Sequence, residues 1–77
     1  MEAVTARPDP ARHPEVRSIA ASAFPRSYRL RVGRFRVLFT VFPHERTVVF
    51  TTAFPKKRES DYDQAVRRHD ARIRAYE

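Results

Sequence analysis

The sequence predicts an α+β domain: a small twisted antiparallel sheet, a three-stranded meander or more, followed by a C-terminal helix and preceded by a short N-terminal helix. Three observations lead there. Residues 27–39 alternate apolar and basic side chains on either side of Gly33, the only glycine in the chain. Residues 47–53 (Thr-Val-Val-Phe-Thr-Thr-Ala) are rich in β-branched side chains, which favour strands. From Asp61 to about Ala75, Tyr62, Ala65, Val66, His69 and Ile73 recur at helical spacing, with Tyr76 continuing the stripe.

Taken in order, the first element is the weakest. Pro8, Pro10, Pro14 and Pro25 interrupt residues 1–26, so residues 1–14 are expected to be irregular and residues 15–77 to form the domain. Pro14 suits the first position of a short helix over 15–23, with Val16, Ile19, Ala20 and Ala23 at helical spacing. The hairpin follows. A two-residue loop at Gly33-Arg34 pairs Val32 with Phe35, Leu30 with Val37 and Tyr28 with Phe39, all apolar. This is expected to bury one face of the hairpin and leave its arginines on the other. Pro43-His44-Glu45-Arg46 reads as a polar connection, and pairing Phe42 with Thr47 sets Phe50 against Phe39. Residues 54–59 read as a basic loop, and Ser60 as an N-cap with Asp63 three positions on.

Size and composition narrow the function classes. Small domains of this kind, here 77 residues, bury only about 60–65% of their unfolded surface. With no cysteine there is no disulfide framework and no thiolate metal site. No His/Asp/Glu spacing suggests a metal, and no Gly-rich phosphate loop or nucleophile–base arrangement is present, so no cofactor is expected. No apolar run approaches the roughly 20 residues that span a membrane, and no signal-peptide core is seen. A soluble, cytoplasmic protein is the expectation. The formal charge is +7, and residues 27–58 hold eight basic residues against one acid, Glu45. Such a surface seeks a polyanion, either nucleic acid or an acidic protein segment.

The hairpin register also sets Arg31 opposite Arg36. Like charges across a sheet are unfavourable, by about 1 kcal/mol at ~4 Å in water. Paired guanidinium groups make a fork for phosphate or carboxylate. His69 reads as a core residue on the helix stripe.

The order Tyr28-Arg29-Leu30-Arg31-Val32-Gly33, then Phe35-Arg36-Val37-Leu38-Phe39, a third strand, Phe54-Pro55-Lys56-Lys57 and Tyr62-x-x-Ala65-x-x-Arg68 resembles the RelE/ParE superfamily of bacterial type II toxins over residues 24–70. The lysine segment is most similar to the RelE and HigB branches, which cut mRNA in the ribosomal A site; the ParE branch poisons DNA gyrase. The resemblance implies a cognate acidic antitoxin and a chain short at its N-terminus. It implies that Arg29 and Arg31 hold the mRNA backbone and that Arg36 meets the scissile phosphate. Lys56, with Arg58, then falls where the family has a general acid or phosphate clamp. Tyr62 matches an aromatic residue that stacks on or orients the base. Arg34 and Lys57 extend the basic surface.

Metal-independent cleavage by the ribose 2′-OH needs a held phosphate and charge stabilisation. It also needs proton transfer, which arginine cannot perform. Lys56, Lys57 and Tyr62 are the nearby groups that titrate, and desolvation beside arginines would favour Lys56. Apolar sheet left bare by a single helix points to self-association, such as a homodimer, or to the antitoxin.

Overall fold

The computed structural model of the protein describes residues 14–76 and the backbone of residues 2–5. Five strands form one antiparallel sheet in the order β1-β5-β4-β3-β2. They are β1 (Glu2–Thr5), β2 (Val16–Ser18), β3 (Ser27–Val32), β4 (Phe35–Phe42) and β5 (Thr47–Pro55), followed by a C-terminal helix, α1 (Glu59–Tyr76). A 3₁₀ turn over Pro43–Glu45 joins β4 to β5, with Arg46 in the left-handed region at φ 51°.

The hairpin forms in the expected register, with Val32 on Phe35, Leu30 on Val37, Tyr28 on Phe39 and Arg31 on Arg36. Gly33 takes φ 58° at the first loop position, where a type II′ turn wants glycine. A β-carbon there would meet nothing within 4 Å, so backbone conformation alone demands it.

Residues 15–23 do not form the expected helix. A helix would turn Val16 and Ile19 to one side, whereas an extended chain separates them. Val16 clusters with Phe39 and Val48 on one sheet face, and Ile19 with Leu38, Phe54, Ala65 and Val66 on the other. Two partners on opposite sides select the strand. The following turn is tied to α1 instead, since Ser22 Oγ and Ala23 N–H donate to the Asp70 carboxylate at 2.6 and 3.0 Å. Residues 1–14 are not irregular throughout either, because Glu2–Thr5 pairs along β5. Met1 and residues 6–13 of that segment lie outside the described residues.

The helix lies on the side of the sheet that carries the arginines. Leu38, one step along β4 from Arg36 on the same face, is fully buried beneath α1, as are Thr40 and Phe54 nearly so. The face expected to be the core, with Tyr28, Leu30, Phe39 and Phe50, packs into a separate cluster. The amphipathic alternation misleads because arginine occupies only the hairpin end of its face. Farther along, that face reads Ser27, Leu38 and Thr40, which accept a helix.

Strand β5 runs through Phe54 and Pro55, residues read from sequence as loop. A bulge permits this. Phe39 pairs with Phe50 but Leu38 with Thr52, leaving Thr51 as the extra residue. One inserted residue reverses the side-chain phase. Phe54 therefore turns toward α1 and meets Tyr62, ring centroids 6.5 Å apart.

The helix begins at Glu59, one residue before the expected cap at Ser60. Asp61 holds that end: its carboxylate accepts the Lys57 and Arg58 N–H groups at 3.2 and 3.1 Å. An acidic side chain reaching back to the cap N–H is half of a capping box. The stripe Ala65, Val66, His69 and Ile73 is buried as the spacing predicts.

His69 is buried, with Ser27 and Thr40 hydroxyls 2.8 and 2.9 Å from Nε2 and the Thr51 hydroxyl 2.5 Å from Nδ1. Ser27 and Thr40 are themselves 2.7 Å apart. Hydroxyls donate or accept, so they satisfy a neutral imidazole in either tautomer. The bulge supplies one of these partners, and Arg72 donates to the Thr51 carbonyl beside it.

Candidate nucleic-acid interface

At the hairpin end, beyond the first turn of α1, the helix-bearing face is open and basic. The register stacks Arg17 on Arg29 across β2 and β3, and Arg31 on Arg36 across β3 and β4. With Lys56 and Glu15 these four arginines line a hollow of about 220 Å³. Backbone carbonyls orient two of them. Arg36 Nη1 donates to Gly33 and Phe35 at 3.3 and 3.0 Å, and Arg17 Nη1 to Pro14 and Val16 at 2.9 and 3.0 Å. Guanidinium groups on neighbouring strands converge on one space, which suits an anion with several oxygens.

Tyr62 forms a shoulder of the site. Arg29 Cζ lies 5.3 Å from its ring centroid and Lys56 Nζ 5.9 Å, so two cations lie against one aromatic ring. Burial pushes the Tyr62 hydroxyl above the usual tyrosine range, against the pull of the Arg29 guanidinium, while Asp63 and Glu59 add to the rise. At neutral pH it is a neutral donor, not a base. Lys56 pairs with Glu59 at 3.2 Å, and its N–H donates to the Arg34 carbonyl at 3.3 Å, tying the strand end to the hairpin loop.

The structure thus brings Arg29, Arg31, Arg36, Lys56 and Tyr62 together. It sets Arg34 and Lys57 apart, in a second hollow of about 210 Å³ that they share with Phe35, Pro55 and Lys56. Arg58 lines neither hollow, and its backbone serves the helix start.

Sequence reasoning missed Arg17 and Glu15, because both fell in a segment read as helix. No periodic signal marks them, since Val16-Arg17-Ser18-Ile19 places two polar residues between its apolar ones and does not alternate. Glu15 also fixes the strand edge, since its carbonyl accepts the Arg31 N–H at 3.2 Å. Among the described residues it is also the one acidic residue lining a hollow otherwise lined by cations.

No protein-family model, curated protein or solved structure matches the chain. Among the described residues no three or more His, Cys, Asp or Glu side chains group to hold a metal, and no helix is long and apolar enough to cross a membrane.

Proposed function

We propose that the protein grips the RNA backbone in the arginine hollow and acts as a RelE/HigB-like toxin, a ribosome-dependent mRNA endoribonuclease working in the cytoplasm beside an acidic antitoxin. One observation carries the reading: four arginines from three adjacent strands and Lys56, just past the end of a fourth, line one small hollow flanked by a tyrosine. Folding does not call for stacked like charges, whereas a phosphodiester does.

In the proposed reaction the ribose 2′-OH attacks the adjacent phosphorus and the P–O5′ bond breaks, leaving a 2′,3′-cyclic phosphate and a 5′-OH. Arg31 and Arg36 neutralise the charge that builds on the phosphoryl oxygens. Glu15 accepts the 2′-OH proton, and the Lys56 ammonium gives one to O5′. Tyr62 supplies a neutral ring and hydroxyl for the base.

Expressed in a bacterial host, the protein is expected to arrest growth and cut translated mRNA. Arg36→Ala or Lys56→Ala relieves both, with cleavage falling on the order of 10²–10³-fold, as when one charge-stabilising donor is lost. Unchanged toxicity in both variants overturns the site. The same cations support a second reading, a ParE-like gyrase inhibitor or a binding module, because gripping an anion needs no proton transfer. A DNA-damage response with intact mRNA selects that reading. The charge of +7 favours an acidic partner. Self-association is part of the proposal, and sedimentation of the purified chain tests it.

A further inference from the structure

The second hollow sits at the end of the sheet, where Phe35 pairs with Pro55 in the last rung between β4 and β5. Phe35 is 44% exposed and belongs to neither apolar cluster, so folding gives it little to do. Arg34 Cζ stands 5.8 Å from its ring centroid, and Lys56 and Lys57 complete the rim. An aromatic ring held in water among three cations fits a ligand with a π-face and negative charge on either side. Lys56 lines this hollow and the arginine hollow alike, so one side chain borders both.

We propose that Phe35 is a stacking platform for one unpaired base of single-stranded RNA, whose neighbouring phosphate lies in the arginine hollow with Lys56 between them. This rests on the RNA-binding reading above and adds to it a subsite and a strand requirement. Bases in a duplex are stacked on each other and cannot reach the ring, whereas a single strand offers its bases to aromatic side chains. The rim cations hold phosphates without reading sequence, so the subsite tolerates any base.

The test compares a short oligoadenylate, an abasic strand of equal length and inorganic tripolyphosphate, each titrated into the full chain. Phe35→Ala is expected to weaken the oligoadenylate at least about fivefold, the lower end for loss of one stacked base, and to leave tripolyphosphate unchanged. Phe35→Trp restores oligoadenylate binding, which a role in folding or charge would not predict. Equal affinity of wild type and Phe35→Ala for the oligoadenylate overturns the subsite alone. Failure of all three probes to bind overturns the phosphate-gripping reading and the subsite with it.

Discussion

Replacing His69 with alanine is expected to cost about 3–5 kcal/mol, read as a loss of unfolding free energy in urea. The imidazole is fully buried and meets Ser27, Thr40 and Thr51 from three different strands. Truncation leaves a cavity and takes a partner from three enclosed hydroxyls at once. Small domains hold only about 5–15 kcal/mol in total, so this variant sits near its unfolding threshold. His69→Gln keeps an amide that can donate and accept, and is expected to recover part of the loss. Burial pushes the His69 pKa below its ordinary range, against the neighbouring Asp70 carboxylate. The unfolded chain therefore binds the proton first as pH falls. Stability from the neutral ring is complete above the ordinary histidine value of about 6.5 and is lost as pH drops below it toward the depressed folded value. Unfolding measured between pH 7.5 and 5 should show a component in the wild type that His69→Gln lacks. Identical slopes would mean that the ring is not held neutral.

The second large effect is expected at Phe54. Phe54→Ala should cost about 3–5 kcal/mol as a buried aromatic truncation. It should also weaken binding of tripolyphosphate, although Phe54 carries no charge. The reason is mechanical. Phe54 backs Tyr62, and Arg29 and Lys56 both lie over the Tyr62 ring. Removing the backing ring lets Tyr62 settle inward and takes two cations out of position. Phe54→Leu refills most of the space and should preserve more of both properties. A loss of stability without any change in tripolyphosphate affinity would show that Tyr62 is placed by something else.

The hairpin was legible in the sequence down to its register, because the period-two pattern and a lone glycine leave one apolar pairing. The C-terminal helix stripe was legible for the same reason at a different period. The side on which the helix docks was not. Arginines at 29, 31 and 36 made their face look solvent-bound, yet Leu38, Ser27 and Thr40 on that face are buried. The bulge at Thr51 was also hidden, since six successive β-branched or aromatic residues (47–52) give no local sign of the extra one. Arg29, Arg31, Arg36 and Lys56 line one hollow, with Tyr62 beside Arg29 and Lys56. Arg17 and Glu15 were lost with the misread strand β2, whose three residues are too short for periodicity to separate strand from helix.

The stacked arginine pairs have a thermodynamic corollary. Folding crowds Arg17 against Arg29 and Arg31 against Arg36, a charge concentration that the unfolded chain does not have. An anion that binds between these guanidinium groups therefore acts as a folding partner as well as a ligand. Mass action makes this quantitative: an anion present at 100 times its dissociation constant adds about 2.7 kcal/mol to the native state. Tripolyphosphate should raise the melting temperature in proportion to the logarithm of its concentration, and Arg36→Ala should blunt the rise. A melting temperature indifferent to tripolyphosphate in the wild type would mean that the crowded guanidinium groups do not bind it.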